Sequence, residues 1–243
     1  MPNPTAAILV IGDEILSGRT REGNAHYLAA ELSRIGVDLR EVRIVPDDHA
    51  TIVAAVRALS DLADHVFTSG GIGPTHDDIT ADAVGAAFGA GVGVREDARA
   101  LLAAHYKTRG VELNEARLRM ARIPEGATLI DNPVSIAPGF TLGNVHVMAG
   151  VPAVFQAMVA SVLPLITGGR PLLSQTLRVL RPEGEVAEPL GRIAAEHPGV
   201  TMGSYPFQSN GAYGTNLVVR GPEAAEVSAA MTALAAAFPE TTA

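Results

Sequence analysis

The 243-residue chain contains no cysteine, which excludes disulfide staples, thiol catalysis and thiolate metal sites. Positive charge is also scarce. Eighteen Lys and Arg stand against 26 Asp and Glu, a formal net charge of −8, with no basic cluster. Affinity for duplex nucleic acid comes largely from neutralising phosphates, so this balance argues against a nucleic-acid partner. No apolar run approaches the roughly 18 residues that suggest a membrane span, and Met1-Pro2-Asn3-Pro4-Thr5 lacks the basic start of a secretory signal. The expectation is a cytoplasmic protein with a small-molecule ligand and no membrane partner.

What the chain does have is apolar content, 47%, and 25 glycines, enough for one large domain or for one domain and a smaller companion. Ala6–Ile11 is a continuous apolar run of the kind found in buried parallel strands. Leu28, Leu32 and Ile35 recur at helical spacing, with Asn24 as candidate N-cap and Gly36 as candidate C′ residue. A strand over Val37–Val45, a helix carrying Ile52, Val56, Leu59 and Ala63, and a strand over His65–Thr68 follow. Helical patterns over 81–88, 97–108 and 114–122 lead to extended segments at 127–131 and 140–148, the second turning at Gly143-Asn144. Another helix carries Val154, Met158 and Leu165. Alternation of this kind predicts an α/β fold, a three-layer, mostly parallel sheet with helices on both faces. The Gly/Pro cluster at 167–171 divides residues 1–168 from 170–243. The second stretch reads as a small α+β unit in the order β-α-β-β-α.

The chemistry concentrates in residues 68–80, Thr-Ser-Gly-Gly-Ile-Gly-Pro-Thr-His-Asp-Asp-Ile-Thr. Gly70, Gly71 and Gly73 let backbone N–H groups turn toward an anion, in a loop joining a strand to a helix where open α/β sheets bind ligands. Asp77 and Asp78 repel an anion unless a divalent cation such as Mg²⁺ bridges carboxylate and phosphate. The same residues also suit a tight turn and a helix cap. The P-loop lysine is absent and the dinucleotide glycine spacing is not met. Asp13 and Glu14, at the end of the first strand, are candidates to hold metal or a polar edge of the ligand, or to cap the next turn. Asn24 suits either a ligand contact or an N-cap. His76 reads as a solvated loop histidine, and Ser17 and Ser69 lack a nucleophile framework. Ser204-Tyr205-Pro206-Phe207 suits a ligand wall or an oligomer contact.

Four stretches together carry a family resemblance: Gly12–Gly18 with Asn24 and Tyr27–Ala29; Asp47-Asp48; Gly70–Thr80; and Asn132-Pro133 through Ala137-Pro138-Gly139-Phe140 into Gly150-Val151-Pro152. Over residues 6–168 their order is similar to that of the molybdopterin-binding MoaB/Mog-like domain, in the form found at the N-terminus of CinA proteins. The resemblance implies binding of molybdopterin or a related pterin or nucleotide, with the phosphate site at Ser69, Gly70, Gly71, Ile72, Gly73 and Thr80. It extends the ligand surface to Asn24, Asp13, Glu14, Asn132, Pro138 and Gly139. It makes Asp78 the metal-supporting aspartate, with Asp82 a further acidic position; beside Asp78, Asp77 is the second catalytic candidate and Asp13 the second metal candidate. It also implies, as an alternative, metal-dependent hydrolysis of the pyrophosphate in ADP-ribose- or FAD-like nucleotides, and a homo-oligomer. Departures are Glu22-Gly23 before Asn24, Ser135 where glycine is usual, and Val154 in place of a glutamate. No amidohydrolase domain follows, so deamidation is not expected.

Overall fold

The computed structural model describes residues 2–209 and 211–239. The chain falls into two compact units, Met1–Gly169 and Arg170–Ala243.

In the first unit, β1 (Thr5–Ile11) leads through a short helix α1 (Asp13–Leu16) to α2 (Asn24–Arg34), β2 (Asp38–Val45), α3 (His49–Leu62) and β3 (His65–Ser69). Helix α4 (Thr80–Phe88) follows the glycine loop, then β4 (Val92–Val94), α5 (Glu96–Thr108), α6 (Glu115–Leu118) and β5 (Arg122–Pro124). β6 (Thr128–Ile130), the hairpin β7 (Gly139–Leu142) and β8 (Val145–Met148), and α7 (Pro152–Val162) complete it. The main sheet runs β2-β1-β3-β8-β7-β6. Its first four strands are parallel and its last two pairings antiparallel. Helices cover both faces, so the expected fold class holds.

The apolar run of β1 shows why. Ala7, Leu9 and Ile11 enter one core, while Ala6, Ile8 and Val10 enter the other. Period-2 alternation therefore delivers apolar groups to both faces, and neither position tolerates a polar residue. α2 ends as its glycine suggests. Gly36, at φ 70°, sends its N–H to Ser33, while Val37 N–H reaches Leu32, a Schellman closure.

Two expectations are corrected. Asn24 is the first residue of α2, and Gly23 occupies the cap position without a side-chain bond; the Glu22 carboxylate instead accepts from Ala25 N–H at 2.9 Å. The helix expected over 114–122 breaks at Leu118, passes through a 3₁₀ turn and becomes β5, paired antiparallel with β4. Three-residue strands such as Val-Gly-Val leave too short a pattern to register, and tertiary pairing overrides local helical propensity.

The second unit contains β9 (Leu173–Val179), α8 (Glu183–Glu196), β10 (Thr201–Ser209), β11 (Ala212–Gly221) and α9 (Ala224–Ala237). The antiparallel sheet is ordered β10-β11-β9. Its core joins Val179, Leu217 and Val219 to Val186, Ile193, Val227 and Leu234 from the helices. Tyr205 is half exposed, Ser204 donates to Glu183 at 2.6 Å, and Arg178 lies 3.8 Å above the Phe207 ring. Among the described residues, no helix is long and apolar enough to cross a membrane.

Candidate functional site

β1, β3 and β8 run parallel in the middle of the large sheet, so their carboxyl ends open on one edge. The chain leaves β1 to form β2 on one side and returns to form β3 on the other, which creates a crevice at the switch point. A cleft of about 550 Å³ lies there.

Its floor is the glycine loop. Gly70 and Gly71 adopt φ of 110° and 69°, and side chains there have no room: a Cβ on Gly70 would lie 2.2 Å from the Ile11 carbonyl, and one on Gly71 would lie 2.1 Å from Thr80 Oγ1. Thr80, fully buried at the start of α4, fastens the loop by donating from its N–H to Gly71 and from its hydroxyl to Gly70, at 2.9 and 3.0 Å. The bonded atoms are carbonyl oxygens. Among the described residues, the N–H groups of Gly71, Ile72 and Gly73 have no partner within the chain. All three residues line the cleft, and unpartnered loop amides are the donors an anion needs.

Asp78 turns back into the loop rather than capping α4. Its carboxylate accepts from Thr75 N–H at 2.8 Å and Thr75 hydroxyl at 2.5 Å, and Ile79 is the cap residue. Arg119 holds the opposite side by donating to the Thr75 and Asp78 carbonyls at 2.9 and 3.2 Å. Its charge is thereby committed to the scaffold. Asp77 is exposed and lines the cleft; its contact with the fully exposed His76 is 3.8 Å.

Across the cleft stand Glu14 and Asp47. Asp47 was not among the residues singled out for chemistry, although the Asp47-Asp48 pair belongs to the family pattern. Its carboxylate accepts from Asp13 N–H at 2.9 Å, so Asp13 serves through its backbone while its side chain lies outside the cleft lining. Burial raises the Asp47 proton affinity; the bond from Asp13 opposes this, and the charges of Asp13, Glu14 and Asp77 raise it further. Among the described residues, no Lys or Arg lines the cleft. Glu14, Asp47, Asp77 and Asp78 put four carboxylates on the cleft lining. Among the described residues there is no ready set of three or more His, Asp or Glu ligands, so a divalent ion would complete its shell with phosphate oxygens and water, as Mg²⁺ commonly does.

The remaining expected residues divide into two groups. Asn132 lines the cleft, and its amide donates to Ser135 Oγ and Ala137 O at 2.6 and 2.8 Å, while its oxygen accepts from Val134 and Ser135 N–H. Ser135 thus builds the turn at the position where the family has glycine. Asn24 and Ser69 act behind the surface. The buried Asn24 amide donates to Ser69 Oγ and Gly150 O, both at 2.8 Å, tying α2 to the ends of β3 and β8 beside a recess containing Thr20 and Arg21. Pro138 lines a narrow neighbouring recess with Asp82, whose carboxylate pairs with Arg122. Gly139 is buried in β7, where a Cβ would meet the Val147 carbonyl at 2.3 Å. Met120, Val151, Pro152 and Val154 add an apolar wall that the residue types alone did not reveal. Val154, replacing the family's glutamate, makes that wall less polar.

Residues 7–168 match the family model described as a probable molybdopterin binding domain. The chain belongs to this molybdopterin-binding family. Residues 171–243 match the model described as the middle domain of FAD synthase. A protein of Pyrobaculum calidifontis is 37% identical over 212 residues, covering 84% of this chain and 81% of the relative. A CinA-like protein of Sulfurihydrogenibium is 36% identical over 167 residues, 66% of this chain but 42% of the relative's own length. The crystal structure of CinA from Thermoplasma acidophilum, a protein with unknown function, is 34% identical with a TM-score of 0.61, covering 67% of this chain and 97% of that one.

Proposed function

We propose that the cleft binds molybdopterin or a related phosphate-bearing pterin or nucleotide. The free N–H groups of Gly71, Ile72 and Gly73 carry this reading. They meet the phosphate, while Met120, Val151 and Val154 face the planar ring and exclude water from it. Asn132 shapes the far wall, and Thr80, Asn24 and Ser69 keep the loop in place. A metal, Mg²⁺ by preference for carboxylate and phosphate oxygen, would be held by a carboxylate of the loop, Asp78 or Asp77, or by Glu14 or Asp47 on the same cleft lining, and would complete its shell with phosphate oxygens and water; Asp13 contributes by holding Asp47.

A second reading, hydrolysis of a phosphoanhydride in an ADP-ribose- or FAD-like nucleotide, is favoured by one observation: all charged side chains lining the cleft are carboxylates. A metal held by these carboxylates would supply a Lewis acid that polarises phosphorus and lowers the pKa of water. The carboxylates of Asp77 and Asp47 then stand where they can accept a proton from water, and the loop amides hold the anionic product. Molybdopterin, ADP-ribose, FAD and dinucleoside polyphosphates, each with Mg²⁺, Mn²⁺ or Co²⁺, should be compared by thermal shift and by phosphate-bond cleavage. A stabilising, metal-dependent ligand without cleavage supports the binding reading, and cleavage supports the second. Failure of every compound to bind removes both.

A further inference from the structure

The small unit's sheet has one face under helices and one open face. Leu177, Val179, Met202, Leu217 and Val219 pack with α8 and α9, so by strand alternation Arg178, Tyr205, Phe207, Asn216 and Arg220 point the other way. Register arranges this open face in rows. Tyr205, Asn216 and Arg178 share one row across the three strands, Thr201, Arg220 and Ser174 share another, and the row of Gly203 lies between them. A Cβ on Gly203 would stand 3.2 Å from Tyr205 Cε2, so the Tyr205 ring leans over that glycine, between the rows of the two arginines. Phe207 lies over Gly214 in the same manner, where a Cβ would meet its Cζ at 2.6 Å. Arg178 covers the Phe207 ring, 3.8 Å from its centroid, whereas Tyr205 is left 50% exposed. Charge is sorted between the two faces. The described carboxylates of this unit all belong to α8 or to the start of α9, and Arg170 and Arg192 pair with Glu223 and Glu188 among them. Arg178 and Arg220, both exposed, have no carboxylate partner among the described residues.

We propose that this face binds a short single strand of nucleic acid, with one base stacked on Tyr205 and the phosphates on either side of that base held by Arg178 and Arg220. Arg220 stands four residues along β11 from Asn216, the row-mate of Arg178, which is about 13 Å. A ligand that meets both cations and the ring between them therefore needs a phosphate on each side of its base. An internal nucleotide of a strand has this form and a free mononucleotide does not. The net charge of −8 counts against a duplex, whose affinity is built from many neutralised phosphates and whose bases are already stacked on one another. A single strand offers its bases to an aromatic ring and tolerates any sequence, since every base has a π-face. It also meets only the positive side of the unit, with the carboxylates turned away. This assignment stands on the small unit alone and does not depend on the cleft's ligand.

The test is fluorescence anisotropy of the full chain with labelled oligo(U) and oligo(dT) hexamers and with a short duplex, at low salt and in EDTA, so that no metal serves the cleft. Hexamers without terminal phosphates give the glycine loop no free phosphate end to hold. Saturable binding of at least one single strand is expected at about 0.1 mM or tighter, with the duplex at least about tenfold weaker. Tyr205→Ala should weaken single-strand binding about tenfold, while Tyr205→Phe, which keeps the ring, should not. Arg220→Gln should weaken it and lower the slope of log affinity against log salt by about 0.7, the share of one single-strand phosphate contact. Circular dichroism confirms that each variant is folded. Failure of both hexamers to bind overturns the proposal. So does a duplex held as tightly as the single strands, or an affinity that survives both Tyr205→Ala and Arg220→Gln.

Discussion

Gly71→Ala tests the loop with a single methyl group. Glycine is needed twice at this position: its φ of 69° is left-handed, and the new Cβ would stand 2.1 Å from Thr80 Oγ1. Left-handed backbone costs a residue with a Cβ about 1 kcal/mol relative to glycine. Relief of the contact requires the Thr80 hydroxyl to swing away, breaking its 3.0 Å bond to Gly70 O and leaving a buried oxygen unpaired, at about 1–3 kcal/mol. The sum is about 2–4 kcal/mol, visible as a shift in the urea midpoint at unchanged slope. Thr80→Ala removes the obstructing hydroxyl, so in that background Gly71→Ala should cost the backbone part, about 1 kcal/mol, with only the milder 3.2 Å approach to the residue-80 Cβ added to it. Equal costs in both backgrounds, or a Gly71→Ala protein as stable as wild type, would refute the coupling between loop and helix. In Gly71→Val the β-branched side chain also crowds the phosphate position, so ligand affinity should fall even in protein that remains folded.

Asp78→Asn keeps the side-chain shape and an acceptor for Thr75, so denaturation should change by no more than about 1 kcal/mol, while metal-dependent affinity or turnover drops at least about tenfold; calorimetry unchanged from wild type would remove the metal role. Asn24→Asp replaces the donor aimed at Gly150 O by an acceptor, and should destabilise by about 2–4 kcal/mol in urea titrations, whereas an unaffected midpoint would deny the tie between α2, β3 and β8. His146, buried against Phe67 and 3.2 Å from His65, is pushed from 6.5 down to about 4 by burial and then by the His65 charge. The unfolded chain therefore takes up the proton first. Its contribution is full above pH 6.5 and is lost as pH falls toward 4, about 3 kcal/mol at roughly 1.4 kcal/mol per pH unit. His146→Phe should flatten this part of the stability–pH curve, and an equally steep curve in the variant would assign the loss to other groups.

The strands and helices of the large unit were legible because β1 and α3 carry long unbroken patterns, and the glycine loop because its residue types are unusual. The location of Asn24 was legible but its role was not: capping depends on local sequence, whereas its bonds to Ser69 and Gly150 join residues far apart in the chain. Asp47 and Asp13 show the same limit, since only the paired strand ends reveal which aspartate turns into the cleft and which supplies an N–H. Met120 and Val151 resemble ordinary apolar residues until the fold brings them to one wall. β4 and β5 are too short to signal themselves.

The most direct measurement is a calorimetric titration of the chain with molybdopterin, with and without Mg²⁺, repeated in Asp78→Asn and Gly71→Val. The account expects saturable binding that Mg²⁺ strengthens, that inorganic pyrophosphate competes away, and that both substitutions weaken in folded protein. Affinity unchanged by Mg²⁺ and by both substitutions would place the ligand away from the glycine loop and contradict the account.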